Sequence, residues 1–260
     1  MKLVVCIAAV LAASIQPALA QQAASGPPSL SLAPAVVIVR AKFGQTVTQT
    51  ISLHNATAVG LAYEMSAQDV VVKNGKRTFV RAGESPNSIA ASAIFSRRSG
   101  YIAPLSDGTV QVLLTIPAQT SIRGVVVYFR NKHVVAGHGS VMLSASLGSL
   151  ITFILTNDVA LEAQPMHVYP PTASENMRIV DSLSNTGSEP VVADGVAAFV
   201  GSGGTLAAKV QFASQRLMPG ERLEMTAEYP GRLKPGRYRV LCTFSYEGKS
   251  LTVTGAYVAT

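Results

Sequence analysis

The side chains that most often carry out chemistry are scarce in this chain of 260 residues. Its four histidines are His54, His133, His138 and His167, and their spacing matches no zinc-binding motif. No acidic residue accompanies them in a recognisable pattern. The sequence also has no G-x-S-x-G nucleophile motif and no phosphate-binding glycine loop. These observations predict a protein that is not an enzyme and that has no metal and no cofactor.

Cys242 is the one further candidate for a nucleophile. In "YRVLCTFSY" a period of two places it on the same side of a strand as Tyr238, Val240 and Phe244. We therefore expect a buried thiol, which is inert in apolar surroundings. The other cysteine, Cys6, lies in the N-terminal segment described next, so no internal disulfide is expected.

The first twenty residues have the pattern of a secretory signal peptide. Lys2 precedes the apolar run "LVVCIAAVLAASI", and Ala18 and Ala20 supply the small residues of a cleavage site. We expect cleavage after Ala20, a flexible leader over residues 21–28, and a periplasmic or secreted protein without a membrane span.

The charge of the mature chain argues against nucleic acid as a partner. It would carry 20 Lys and Arg against 14 Asp and Glu, a net charge of +6. The basic residues are scattered, whereas nucleic-acid binding requires a basic stripe with stacking aromatics. A solvated surface with a basic excess is the simpler interpretation.

Beyond the leader, the patterns are almost entirely those of β-strands. The strand-like segments are "VVIVRAKF", "TVTQTISLH", "LAYEMSAQ", "TVQVLLTIP" and "GVVVYFRNK". Asn74 and Gly75 separate two such runs and predict a hairpin. Only "NSIAASAIF" near residue 90 suits a short helical turn. Many short strands predict all-β sandwiches, and about 240 residues suffice for two of them.

The two halves of the chain share their turn residues. Each has an asparagine that ends a strand and two glycines spaced by 16: Asn55, Gly108 and Gly124 in the first half, and Asn185, Gly220 and Gly236 in the second. This repeat predicts two Ig-like β-sandwiches in tandem, over residues 29–157 and 158–260. The first is longer, and we expect an extra hairpin and loop in it.

The segment "LKPGRYRVL" suggests a structural role for Tyr238. In Ig-like sandwiches, a tyrosine just after a turn can donate its hydroxyl to the chain upstream. Tyr238 follows Pro235 and Gly236 and fits this position.

The stretch "VMLSASLGSLITFIL", residues 141–155, has fifteen residues and no charge. One face of the predicted strand is apolar except at Ser149, and it consists of Val141, Leu143, Ala145, Leu147, Ile151, Phe153 and Leu155. At ~3.3 Å per residue it would span ~50 Å, far more than a strand of five or six residues. It could close the first sandwich, or it could be lent to a partner, with Gly148 and Ser149 dividing it into a donor half and a core half.

Four segments in this order resemble the N-terminal domain of PapD-like periplasmic pilus chaperones: "VIVRAKFGQTVTQTISLHN", "YIAPLSDGTVQVLLTIP", "GVVVYFRNK" and "SVMLSASLGSLITFIL". The resemblance covers roughly residues 29–157. It implies that exported pilin-like subunits are bound by strand donation, with an outer-membrane usher as a second partner. The groove-filling residues would then be Val141, Leu143, Ala145 and Leu147.

The same family anchors the C-terminal carboxylate of its client with an arginine on the first strand and a lysine on the last strand. Here Val39 occupies the expected arginine position, and Arg40, one residue along, is expected on the opposite face. The last strand, "SLITFIL", has no lysine. Arg40 and Lys42 are the nearest cations for such a role.

Two classes of function follow from the sequence. A chaperone that donates a strand would leave an apolar strand face uncovered in the free protein. The alternative is a non-enzymatic Ig-like module of the cell envelope, or an adhesin, that binds surface proteins or polymers through its loops. Such a module would cover the strand fully.

Overall fold

The computed structural model describes residues 29–131 and 146–260, and this part of the chain is almost entirely β-structure. The strands of the first half are β1 Leu30–Ala33, β2 Val36–Arg40, β3 Thr46–Asn55, β4 Leu61–Lys73, β5 Lys76–Arg81, β6 Ile94–Phe95, β7 Ser99–Ile102, β8 Ser106–Thr115, β9 Gly124–Asn131 and β10 Ser146–Ile154. Those of the second half are β11 Leu161–Ala163, β12 His167–Tyr169, β13 Met177–Asn185, β14 Val191–Gly201, β15 Leu206–Leu217, β16 Arg222–Tyr229, β17 Gly236–Tyr246 and β18 Lys249–Ala259.

Helical structure in the described ranges is limited to one 3-10 turn, Ala90–Ser92, in the segment where the sequence predicts a short turn. None of these residues forms a helix of the length and apolar character needed to cross a membrane.

The first sandwich consists of two facing sheets. One has the strand order β1-β3-β8-β6, and the other has the order β2-β10-β9-β4-β5, with β7 also paired to β4. Strand β2 runs parallel to β10, and the other pairs are antiparallel. Alternate residues of each strand point between the sheets, and Ile51, Val112, Phe129, Ile151 and Phe153 form the centre of the core.

The second sandwich also consists of two facing sheets, and all its strand pairs are antiparallel. One sheet pairs β13 with β11, β12 and β16, and the other has the order β15-β14-β17-β18. Ile179, Leu183, Phe199, Cys242 and Phe244 are fully buried between them. The prediction of two tandem Ig-like sandwiches is confirmed, whereas the domain boundary near residue 157 stays a prediction.

Asn55 and Asn185 make equivalent hydrogen bonds in the two sandwiches. The Nδ2 of Asn55 donates to the carbonyls of Val59 and Ala103, both at 2.9 Å. The Nδ2 of Asn185 donates to the carbonyls of Glu189, at 2.8 Å, and Leu217, at 3.1 Å. In each case one acceptor lies four residues after the asparagine. The other lies at or just after the end of a later strand, β7 in the first sandwich and β15 in the second. The pairing of these two asparagines by sequence is therefore structurally correct.

The pairing of Gly108 with Gly220 is wrong. Gly108 lies inside β8, opposite Leu53, whereas Gly220 lies in a turn with a φ of 75°. The residue of the first sandwich that corresponds to Gly220 is Leu105, which lies just before β8 as Gly220 lies just before β16 and has a φ of 50°. The equal spacing of 16 between the glycines is therefore a coincidence. A left-handed turn position favours glycine but does not require it, so glycines alone do not identify equivalent turns.

The Asn74-Gly75 hairpin is confirmed, and it connects β4 to β5. Both turn residues have positive φ, 53° and 74°, as a two-residue hairpin turn of type I′ requires. This hairpin is not the extra part of the first sandwich, because β14 and β15 form its counterpart in the second. The additional part is the loop that contains the 3-10 turn, β6 and β7.

Candidate functional site

Strand β10 has one edge that is only partly covered. On one side it pairs with β9 along residues 146–152, and on the other side it pairs with β2 only from Leu150 to Ile154. Within the described part of the chain, residues 146–149 therefore pair with a strand on one side alone, although β1 also contacts β10 and Ser149 touches Pro34. Such an edge presents unpaired amide and carbonyl groups, which is the template on which another strand can add.

The backbone pattern shows which groups face this open edge. The amide of Leu150 donates to the carbonyl of Ala35, on the β2 side, at 2.9 Å. Because amides of a strand alternate in direction, those of Gly148 and Ser146 point to the same side. The amide of Leu147 points toward β9. Ser146 and Gly148 thus supply the main-chain groups that a partner strand would use.

The buried face of β10 changes character at Ser149. Ile151 and Phe153 are completely buried in the first core, and the Ser149 hydroxyl donates to the Pro34 carbonyl at 2.7 Å. Leu147, next on this face, is only partly buried against the same core. In the described part of β10, full burial on this face therefore begins at Ser149, and the division into a donor half and a core half stays a prediction.

Three of the four candidate groove-filling residues, Val141, Leu143 and Ala145, lie outside the described residues, as do His133 and His138. Leu147 is described, and its half-buried position leaves it able to contact a partner as well as the core. The role of all four in binding stays a prediction.

The outer face of the same sheet carries exposed apolar side chains beside the open edge. Val36 and Ile38 on β2 are each 48% exposed, and they are opposite Leu150 and Thr152 of β10. The sequence analysis did not assign them a role. The alternation in "VVIVR" could have placed them outside, because Val37 and Val39 pack against the core.

Arg40 ends β2 on this outer face, as the sequence predicts. It is exposed and lies opposite Ile154, whereas Val39 packs inward. The described part of β10 contains no cation, as its sequence requires. Arg40 is therefore positioned beside the apolar residues Val36 and Ile38, where it could contact an anionic group of a partner.

The outer face of this sheet also contacts the second sandwich. Met218 of the β15–β16 turn packs on Val70 and Val126, and all three are buried. Gly124 permits this contact, since a Cβ atom there would lie 2.9 Å from the Met218 Cε. A cavity of about 250 Å³ adjoins it, lined in part by Val72 and Ile122. The two sandwiches thus share a small apolar contact.

Two ion pairs accompany this apolar contact. Arg123 Nε donates to Glu189 Oε1 at 3.0 Å, and Arg77 donates to Glu221 Oε2 at 2.8 Å. In addition, the amide of Arg222 donates to the carbonyl of Gly75 at 2.8 Å, so the β4–β5 hairpin touches the second sandwich. Polar and apolar contacts together thus join the second sandwich to the sheet that contains β10.

Asp181 is a buried acidic residue of the second core that the sequence analysis missed. Asp181 is 1% exposed, and neither carboxylate oxygen has a hydrogen-bond partner among the described residues. Burial raises its pKa to about 6, partly offset by the Ser182 backbone and by His167. Burial, and the charge of Asp181, also raise the pKa of Cys242 to about 12, so the thiol is inert as expected.

Tyr238 has the structural role predicted for it. Its hydroxyl donates to the carbonyl of Lys234, four residues upstream, at 2.7 Å. The bond ties the β16–β17 loop to the start of β17, as in the tyrosine corner of other Ig-like sandwiches.

Comparison with known proteins gives structural similarity alone, since no family model and no curated protein matches the sequence. The class 5 fimbriae chaperone CfaA is 12% identical, with 89% of this chain and 99% of that chain covered and a TM-score of 0.48. For the complex of the Salmonella enterica SafA pilin with the SafB chaperone, the identity is 13%, with 90% of this chain and 98% of that chain covered and a TM-score of 0.43. For the E. coli chaperone DraB, the identity is 10%, with 88% of this chain and 98% of that chain covered and a TM-score of 0.41. The fold is thus similar to that of fimbrial chaperones over most of this chain, and with TM-scores below 0.5 the similarity carries no conclusion about function or partners.

Proposed function

We propose that this protein is a periplasmic chaperone that binds exported pilin-like subunits by lending them the free part of β10 and the residues before it. The observation that carries this proposal is the open edge of β10 at residues 146–149, which continues upstream into the alternating apolar residues of the sequence. The resemblance of the sequence to pilus chaperones adds an outer-membrane usher as a second proposed partner.

Strand addition at this edge would use two kinds of contact. The amides of Ser146 and Gly148 point away from β9 and would pair with the backbone of an incomplete partner sheet. Leu147 and the alternate residues upstream would enter the partner core. Main-chain hydrogen bonds do not depend on the side chains of the client. Selection would therefore come from the apolar side chains, which fit a client that lacks a strand of its own.

The contacts between the sandwiches support a fixed binding frame. The Arg123–Glu189 pair and the packing of Met218 hold the second sandwich against the outer face of the sheet that contains β10. A client that binds this edge therefore meets a surface that is ordered in advance, which lowers the entropic cost of binding.

A proline at position 146 tests the main-chain ladder directly. Ser146→Pro removes the amide that points to the open edge and leaves the amide of Leu147, which faces β9, in place. We expect the thermal midpoint to change little, while retention of a co-expressed pilin-like subunit falls at least tenfold. Ser146→Ala is the matched control, and it should retain the subunit as the parent does.

The two outcomes separate the two classes of function. If Ser146→Pro retains the subunit as well as Ser146→Ala does, strand donation at this edge is excluded. A folded protein that also binds surface polymers through its loop ends would then support the envelope module instead.

A further inference from the structure

The end of the second sandwich that is remote from the first carries a basic surface. The contacts to the first sandwich involve Glu189, just before β14, and Met218, just after β15. Strand β14 runs for eleven residues from that end to Gly201, a distance of ~33 Å. The loop after Gly201 and the start of β17 therefore lie far from the proposed client edge.

A shallow cavity of about 560 Å³ opens at this remote end. Its lining includes Arg237 and Arg239 of β17, Ser202 of the β14–β15 turn and Thr254 of β18. The two arginines are two residues apart on one strand, so they share the outer face of the sheet. Lys209 lies on the same face, opposite Ala198 of β14.

The cations of this cavity have no anionic partner. Both guanidinium groups are exposed, and across residues 29–131 and 146–260 neither Arg237 nor Arg239 forms an ion pair. Among the described residues, none that lines the cavity is acidic. The acidic residues at this end of the sandwich are Glu175, in the loop before β13, and Glu228 of β16, and both lie beside Arg178 at the other sheet. Positive charge is thus concentrated on one face without local neutralisation.

Two large apolar side chains flank the arginines. Leu206 is 57% exposed and lies opposite Val200, which is itself opposite Arg239. Val258 is 58% exposed and lies opposite Arg237. Residues opposite one another in an antiparallel pair share a face, so these apolar side chains project on the same side as the guanidiniums. We call the set Leu206, Lys209, Arg237, Arg239 and Val258 the remote basic surface.

We propose that the remote basic surface binds the surface of a membrane that contains anionic phospholipid. Guanidinium groups form paired hydrogen bonds with phosphate oxygens, and each cation near an anionic bilayer adds to the attraction. Leu206 and Val258 would enter the boundary between headgroups and acyl chains, as apolar side chains of peripheral proteins do. A free phosphate ion would use the arginines but would gain nothing from the two apolar side chains. The surface would thus hold the chaperone beside a bilayer while the client edge stays free.

Vesicle binding tests this proposal. We would measure sedimentation of the full chain with phosphatidylcholine vesicles that contain or lack phosphatidylglycerol, so any contribution of residues 1–20 is common to all variants. Arg237→Gln/Arg239→Gln should lower partition onto the anionic vesicles about 25-fold, about fivefold for each charge. Lys73→Gln/Lys76→Gln, which removes the same charge from an exposed hairpin of the first sandwich, should lower it less than about twofold. Equal binding by the arginine variant and the parent overturns the proposal.

A second variant distinguishes a membrane from other anions. Leu206→Ser/Val258→Ser keeps every charge, and it should lower partition at least about fivefold because it removes the apolar contact with the bilayer. If this variant binds as the parent does and inorganic phosphate releases the protein from vesicles, the site binds free phosphate and the proposal fails. Release by polyglutamate at a low concentration would instead assign an acidic polypeptide, and the proposal fails equally.

Discussion

Arg123 and Glu189 form a buried ion pair that joins the two sandwiches, with the Nε and Oε1 atoms 3.0 Å apart and side chains 6% and 0% exposed. Glu189 does more than neutralise the arginine. Its carboxylate also accepts hydrogen bonds from the amides of Leu155 and Thr156 and from the Thr156 hydroxyl, at 2.8 to 3.0 Å. One side chain of the second sandwich therefore holds both the first sandwich and the chain segment that connects the two.

Breaking this pair on either side should destabilise the protein. Arg123→Met leaves the buried carboxylate without its cation, and Glu189→Leu leaves the buried guanidinium without its anion together with two unsatisfied amides. We expect a loss of about 3–5 kcal/mol in the free energy of unfolding for each, larger for Glu189→Leu. Urea unfolding of both variants and of the double variant measures this. A double variant that loses the sum of the two single losses would contradict a direct interaction.

The free energy of unfolding should fall with rising pH because of Asp181. Its folded-state pKa of about 6 lies above the ordinary value of 3.8, so the folded state binds the proton more tightly. The contribution of the protonated group is complete below pH 4 and is lost as the pH rises through about 6, a change of about 3 kcal/mol. Asp181→Asn should remove this dependence and raise stability at pH 8.

Urea unfolding between pH 4 and pH 8 checks this expectation by difference. Every other titratable group is common to the parent and to Asp181→Asn, so its contribution cancels in the comparison. Asp194→Asn, on an exposed position of β14, is the control and should follow the parent. A parent and an Asp181→Asn variant with parallel pH profiles would show that Asp181 is already hydrated or paired.

Glutamate substitutions at two positions on the same predicted face of one strand should affect different properties, folding at one position and binding at the other. Ile151→Glu buries an unpaired carboxylate in the first core, which costs several kcal/mol and should unfold that sandwich. Leu143→Glu, upstream of the described part of β10, should leave the midpoint of a circular dichroism melt nearly unchanged and abolish retention of the subunit. A large fall in the midpoint for Leu143→Glu would show that the residue belongs to a closed sandwich.

Arg40 and Lys42 are expected to contact an anionic group of the client. Arg40→Ala/Lys42→Ala removes exposed cations, so the thermal midpoint should stay within a degree or two. A charge-assisted hydrogen bond contributes about 1.5–3 kcal/mol, so affinity for the subunit should fall roughly 10- to 100-fold. Titration calorimetry, with Arg97→Ala as the control, measures the effect. Unchanged affinity would confine both cations to the solvated surface.

The Tyr238 hydroxyl should contribute a single hydrogen bond to stability. Tyr238→Phe removes the bond to the Lys234 carbonyl and keeps the ring, so a loss of about 1 kcal/mol in the free energy of unfolding is expected. Tyr257→Phe, at a neighbouring ring opposite Tyr238, is the matched control. Equal losses in the two variants would indicate that the loop is held by other contacts.

The local features of this fold could be predicted from the sequence because each depends on residues near one another in the chain. A period of two places Ile151, Phe153 and Cys242 in the cores, the Asn74-Gly75 pair fixes its turn, and Tyr238 after Pro235 and Gly236 indicates its own hydrogen bond. Predictions of turn positions are less reliable where the turn requires only a backbone conformation, which several residue types can adopt. The pairing of Gly108 with Gly220 was wrong for that reason.

The candidate sites depended on residues brought together from distant parts of the chain. No local pattern indicates that β2 covers β10 only from Leu150 onward, that Arg123 meets Glu189, or that Leu206 lies in the same row as Arg239. These relationships follow from strand order, register and the approach of the two sandwiches, which the sum of many long-range contacts decides. The sequence by itself determined which residues are apolar, and only the tertiary structure decided which of them the two cores leave exposed.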